Sequence, residues 1–402
     1  MLTTPLTIRP PPTVRTGHVL ALRLFDAADR IDLEHAEALW RRYAAGAARR
    51  HGLAATPPKA VSFGVPPLTL TLPPYTLMLG GTLAGRAIEA TMTARLYDFG
   101  AITLALRVPA DGLPWADFAA LVNEVDTAVG SEAQSGAHNA APWDAALAAL
   151  TAALAGALRQ PSHALVQEDY LVGVVHALDD TSAAEAPAEG SAAGPLTAEA
   201  LIARVDLAAL LSGEHRPLSA TARADLLRHR FSYYEDDLVV LTWDRAFVYE
   251  PRGDADVTDV IEVANAQLLE MRYYDELLDA ELPRMNAHVA AARSGLNPLA
   301  ARRYAGLARQ LYSLVADVTE LTERVDNALQ VTEDVYLARV YAAALDQFRV
   351  AAVTAAVNRK LAIIRETYTA LYDEAAGARA EVLEIAIVVL IMFEIVMAFV
   401  RG

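Results

Sequence analysis

The C-terminal end of this 402-residue chain constrains it most. From Val382 to Val400 the run VLEIAIVVLIMFEIVMAFV contains no Gly, Pro or basic residue. As a helix it rises about 28 Å, close to the hydrocarbon thickness of a bilayer. The expectation is therefore one C-terminal transmembrane helix acting as a tail anchor. Two acids interrupt it, Glu384 and Glu394. The thirteen Leu, Ile, Phe and Val residues favour insertion by roughly -6 kcal/mol in sum, whereas each central charge opposes it by about 2.5 to 3.5 kcal/mol. Glu384, in the first turn, reaches the headgroups; Glu394 lies about 9 Å before Val400 and does not. Glu384, Ile387, Ile391, Glu394, Ala398 and Arg401 follow spacings of three and four. They predict a stripe that faces an oligomer or another membrane protein, with Glu384, Glu394, Ala398 and Arg401 as its marked positions. The competing reading is the buried last helix of a soluble bundle.

Upstream of the tail the pattern is helical. Ile261, Ala264, Leu268, Met271, Asp275, Leu278 and Leu282 recur at three and four, and Tyr304, Leu307, Leu311, Leu314, Val318, Leu321 and Val325 keep heptad spacing. Pro283 is expected to kink or end the first of these helices, with a turn at Gly295 to Pro298. A turn near Thr332 to Asp334 precedes a third run, Val357, Leu361, Ile364, Tyr368, Leu371, Ala375, Ala378 and Val382, and no breaker but Gly377 separates it from the tail. One helix from Val335 to Val400 is the reading, within an antiparallel coiled-coil stalk.

The first half mixes periods. Strand-like runs are His18 to Phe25, Lys59 to Val65, Ile88 to Tyr97, Ala101 to Val108 and Ala164 to Ala177; helical ones are Leu33 to Ala48, Trp115 to Val129 and Ala141 to Leu158. Asp98-Phe99-Gly100 suits a three-residue hairpin turn with glycine left-handed, and Asp244-Arg245 a two-residue turn. Thr181 to Pro195 has almost nothing to bury and reads as a disordered loop. The class is α+β: an N-terminal α/β sandwich-like domain with hairpins at 1–253, the helical stalk at 254–381, and the transmembrane helix at 382–400.

Composition narrows the chemistry. A net charge of -16 argues against an extensive nucleic-acid surface, since phosphate binding needs a basic face. The basic cluster Arg41, Arg42, Arg49, Arg50 and His51 reads as a solvated helix face. With no cysteine, disulfides and thiolate chemistry are excluded. The alanine-rich, lysine-poor composition suggests a GC-rich bacterium. The first residues lack the apolar core of a secretory signal, and Pro10, Pro11 and Pro12 would break a transit-peptide helix. The nine histidines show no ligand spacing, and neither a phosphate loop nor a nucleophile elbow is present. No metal or other cofactor is expected. Glu235, Asp236 and Asp237 beside Tyr233 and Tyr234 form an acidic hairpin rim, and Glu262, Asn265, Glu270, Arg272, Tyr273, Tyr274 and Asp275 a polar and aromatic helix cluster. The rim reads as solvated and the helix cluster as an interface, and neither requires catalysis.

The runs YYEDDLVVLTWDRAFVYEP and EVANAQLLEMRYYDELLDAEL resemble the signature of the "required for meiotic nuclear division" family. RLYDFGAITLALRV, VNRKLAIIRETYTAL and the ending LEIAIVVLIMFEIVMAF are similar to further segments of it, over Arg86 to the end. The hairpin's Leu-Arg-Val continuation and Pro283 depart from that pattern. The resemblance implies a membrane protein with a large soluble part and no enzymatic activity, whose mitochondrial member supports organellar translation. It marks Tyr233, Asp237, Trp243, Glu262, Asn265, Glu270, Arg272, Tyr274 and Asp275 as a signature interface. The combined expectation is a non-enzymatic, membrane-anchored oligomeric scaffold in a bacterial inner membrane, single-pass, with its soluble part cytoplasmic. Its partners would be membrane lipid, further copies of itself and an unknown protein, the translation machinery being one candidate. The alternatives are an ion-conducting or transport assembly using Glu394, and an enzyme using the acidic hairpin rim.

Overall fold

The computed structural model describes residues 11–43, 48–50, 65–129, 142–162, 166–179, 196–214, 216–293, scattered positions between 306 and 319, and 334–401. The chain divides into two compact units, Met1–Glu270 with Val325–Val350, and Met271–Arg324 with Ala351–Gly402. The strand reading at Lys59 to Val65, except for Val65 itself, the loop at Thr181 to Pro195 and most of the heptad run Tyr304 to Val325 lie outside the described residues.

The first unit is built on an 11-stranded mixed sheet. Its central strand β1 (Thr13–Asp26) is buried along nearly its whole length, as a strand covered on both faces must be. It pairs antiparallel with β10 (Gln167–Asp179) on one side and β7 (Ala101–Pro109) on the other. Beyond β7 lie β6 (Ala87–Leu96), β4 (Leu68–Thr71) and β3 (Ala48–Arg50); beyond β10 lie β13 (Arg245–Tyr249), β12 (Leu238–Leu241) and β11 (Arg230–Phe231). The β10–β13 pair is parallel. Strands β5 (Tyr75–Met78) and β8 (Leu113–Pro114) join β6 and β1, and β2 (Ala28–Ile31) forms a separate two-stranded sheet with β9 (Leu158–Pro161).

The expected turn at Asp98-Phe99-Gly100 joins β6 to β7, with Gly100 at φ +112°. A Cβ there would stand 1.6 Å from the Ala28 carbonyl oxygen, so the hairpin tip packs directly onto β2.

Helices cover both faces of the sheet. Helix α1 (Leu33–Tyr43) buries Leu33, Ala36 and Trp40; α2 (Trp115–Val129) buries Trp115, Phe118, Leu121, Val122, Val125 and Val129 at spacings of three and four. Helix α3 (Pro142–Ala153) joins them, followed by the short α4 (Ala198–Arg204), α5 (Leu207–Ser212) and α6 (Ala220–Leu226). Phe118 lies 3.3 Å from where a Gly173 side chain would begin, which fixes the face of β10 that α2 covers. Strand alternation puts Arg95 and Tyr170 on the other face. There α7 (Asp256–Arg293) meets the sheet through Asp259 and Glu262, and Phe348, after α8 (Val335–Gln347), stacks edge-on to Tyr170 at 5.1 Å.

Several boundaries differ from their sequence reading. Helix α1 stops at Tyr43 and Ala48 opens a strand; α3 ends at Ala153, freeing Leu158 for β9. The β12–β13 turn is centred one residue early, on Trp243-Asp244, because Thr242 N–H bonds the Arg245 carbonyl and Arg245 is drawn into the strand. Pro283 lies inside α7 without ending it. The continuous helix expected from Val335 is broken at Phe348 and Arg349, where Arg349 takes φ +55°, and resumes as α9 (Val350–Arg401). No Gly or Pro marks that break; a buried ring does.

In the second unit α9 buries Val357, Leu361, Ile364 and Leu371 as one stripe. Lys360 Nζ bonds Asp275 and Asp279 on α7, each at 2.7 Å. The architecture is thus a mixed-sheet domain followed by helices. Among the described residues no single helix is long and apolar enough to cross a membrane, and one helix pair, Val335–Gln347 with Val350–Asp373, meets that test by length and composition.

Candidate functional site

The residues expected to form one signature interface fall into separate environments. Asp237, buried, accepts the backbone N–H groups of Tyr233 (2.7 Å) and Tyr234 (3.2 Å) and an Arg252 Nη2 at 3.3 Å. Arg252 also binds Glu250 at 3.0 Å and lies 3.8 Å over the Tyr234 ring. The inner acid of the rim therefore closes its own turn. Burial, followed by Asp254, Asp259, Asp334 and Glu250, pushes the nearby Asp256 carboxyl up to about 6. Trp243 stands on the β12–β13 turn with 74% of its surface exposed.

Glu262 and Asn265 lie in the first unit's core. Glu262 accepts from Tyr97 Oη at 2.8 Å and pairs with Arg95 at 2.8 Å; Arg95 also holds Asp259 at 2.9 Å. Burial opposes the Arg95 charge, but Glu262 and Asp259 outweigh it and hold the guanidinium firmly protonated. Asn265 donates to Ile261 O within its own helix, and Glu270 is buried near it in sequence. Arg272, Tyr274 and Asp275 belong to the second unit, where Asp275 serves Lys360 and Tyr274 is buried.

Three polar arrangements went unread in the sequence. Arg245 Nη1 donates to Asn123 Oδ1 (2.7 Å) and Leu210 O (3.1 Å), while Nη2 pairs with Asp126 at 2.5 Å, tying β13 to α2 and α5. Asp26, at the end of β1, accepts from Ser162 Oγ at 2.8 Å; burial first, then Asp29, pushes its carboxyl up to about 7. His18 sits beside Arg107 and His176, and burial first, then Arg107 and His176, drops its imidazole to about 3. The available signal was a charged residue inside an apolar strand run. A cleft of about 460 Å³ near the start of α1 is lined by Arg30, Asp32, Glu34, Asp98 and Arg159, so it presents both signs. Among the described residues no group of three or more His, Asp or Glu side chains could hold a metal ion.

Among the described residues, the longest run of exposed large apolar side chains is on α9. Leu383, Ile385, Ile387, Val388, Val389, Leu390, Ile391, Met392, Phe393, Ile395 and Val396 are 48–64% exposed. They occupy every side of the helix, so no polar face is available to meet water. Glu384 and Glu394 are exposed among them. Ala398 and Arg401, the other expected stripe positions, have side chains outside the described residues.

The sequence profile of the family described as "Uncharacterized protein MJ0711, N-terminal domain" matches residues 16–256. "Uncharacterized protein MJ0711" of Methanocaldococcus jannaschii is 24% identical over 196 residues, 48% of this chain and 59% of that protein, so the alignment spans less than two thirds of the relative's length. No solved structure matches the chain significantly. The profile match corrects the resemblance to the "required for meiotic nuclear division" family. That resemblance rested on short aromatic and acidic strings, which the structure resolves into a turn closure at Asp237 and a core pair at Glu262. The function drawn with it, a scaffold of that family supporting translation, does not carry over, nor do its alternatives of an ion pathway and an acidic-rim enzyme.

Proposed function

The chain belongs to the family of the MJ0711 N-terminal domain, and on that premise we propose that it is a membrane-attached protein whose C-terminal helix end sits in lipid. The observation that carries this is the all-round exposure of the eleven large apolar residues from Leu383 to Val396. A helix of a soluble bundle would bury one stripe, as α9 does between Val357 and Leu371. The apolar run from Val382 to Val400 would traverse about 28 Å, the depth of a hydrocarbon core. The buried ionic groups Arg95, Arg245 and Asp237 of the sheet domain are each engaged by structural partners.

Fractionation of cells producing the full chain and a chain ending at Arg379 tests the proposal. The full chain should resist alkaline carbonate extraction from the membrane pellet, while the shortened chain should move to the supernatant. A full chain recovered in the soluble fraction would refute the attachment.

A further inference from the structure

The cleft at the start of α1 has a rigid frame. Ile31 N–H bonds the Asp98 carbonyl at 3.1 Å, Asp32 N–H bonds the Ala157 carbonyl at 2.9 Å, and Asp32 Oδ1 accepts the His35 N–H at 3.0 Å. Strand β2, the β6–β7 turn and the first turn of α1 are tied together by these bonds. Within the frame, β2 and β9 pair antiparallel with Arg30 directly opposite Arg159, so the two side chains leave one face from Cβ atoms about 5 Å apart. Like charges so placed repel, and an anion between them relieves the repulsion. Both arginines line the cleft, and among the described residues no hydrogen bond or ion pair reaches either guanidinium. Gln160, next to Arg159, is held at φ +49°, a conformation uncommon for a residue with a side chain and concentrated at ligand sites.

We infer that this cleft binds a small phosphorylated amine, its phosphoryl group between Arg30 and Arg159 and its ammonium among Asp32, Glu34 and Asp98. Charge selects the class. Each guanidinium offers a planar fork that takes two oxygens of an anion at once. A carboxylate, with two oxygens and one charge, suits one such fork; a phosphoryl group, with three oxygens and up to two charges, suits a pair. Helix α1 starts at the same place, and the positive end of its dipole favours the same anion. Yet the two arginines share the lining with three acids, so a bare anion finds no net attraction there. A molecule carrying both signs meets its complement at each end. The cleft's volume of about 460 Å³ lies within the range of small-molecule sites, roughly 300 to 1,000 Å³. A free phosphoamine and the headgroup of an ethanolamine phospholipid share this chemistry.

The full chain in dodecyl maltoside is titrated calorimetrically with phosphoethanolamine, dihexanoyl phosphatidylethanolamine, inorganic phosphate and ethylamine. The expected result is saturable binding of a phosphoamine, about tenfold or more tighter than phosphate or ethylamine, and the tighter of the first two probes identifies a free compound or a lipid headgroup as the source. Arg30→Ala and Arg159→Ala should each weaken it about tenfold, as loss of a bidentate charged contact does. Glu34→Gln should weaken phosphoethanolamine about threefold while strengthening phosphate, a crossing that a plain anion site does not produce. Thermal melting separates the site from the fold. With the repulsion removed, either arginine variant should unfold no lower than the wild type, and phosphoethanolamine should raise the wild-type midpoint alone. No saturable heat with either phosphoamine, binding untouched by both arginine variants, arginine variants that melt well below the wild type, or phosphate bound as tightly as the phosphoamines would overturn the assignment.

Discussion

At the scale of single residues, Asp26 offers the clearest test of the interior. The residue is 2% exposed and its carboxyl is held up to about 7 against an ordinary 3.8, chiefly by burial. Between those values the folded chain keeps a proton that the unfolded chain has released. The stabilisation is thus complete below the lower value and lost as pH rises through the upper one. Denaturant titrations at pH 5 and pH 8, on either side of the upper value, should show the wild type losing on the order of 1–3 kcal/mol relative to Asp26→Asn. Parallel behaviour of the two proteins across that range would show that Asp26 is ionised throughout.

At the scale of elements, the β6–β7 hairpin depends on one backbone position. Gly100 at φ +112° lies where an L side chain is strained, and its would-be Cβ overlaps the Ala28 carbonyl. Gly100→Ala should therefore destabilise the first unit by about 2–4 kcal/mol, since the hairpin tip and β2 must separate. A thermal midpoint shift below one degree would mean that β2 yields freely. The hairpin itself was readable, because Asp-Phe-Gly between alternating apolar runs is local turn chemistry. The β12–β13 turn was misplaced by one residue in part for a non-local reason: Arg245 lies in the strand, where Asp126, 119 positions earlier, pairs with its guanidinium. The helix break at Phe348 escaped periodicity in the same way, as Phe348 is seated on Tyr170.

At the scale of the whole molecule, the membrane reading implies that affinity for lipid resides in the end of α9. Val389→Asp with Phe393→Asp replaces two exposed apolar side chains near the middle of the run by two charges, at about 2.5 to 3.5 kcal/mol each near mid-depth. Vesicle flotation should fall at least tenfold, with the circular dichroism of the sheet domain unchanged. Undiminished flotation would place the lipid contact elsewhere on the chain.

The sequence by itself determined the features that depend on near neighbours. These are the alternation of β6 and β7, the glycine of their turn, the three-and-four stripe of α2 and the apolar composition of the α9 end. Each is a property of side chains within one or two turns of one another. Only the tertiary structure decided which charges are buried and what they do. Asp237, Glu262 and Asp275 were one signature in the sequence, yet one closes a turn, one completes a core ion network and one meets a lysine on α9. A buried charge is tolerable only where its partner arrives, and those partners come from strands and helices far along the chain. The opening apolar run is the converse case, since its composition was legible at once, while its exposure on every side came into view only with the fold.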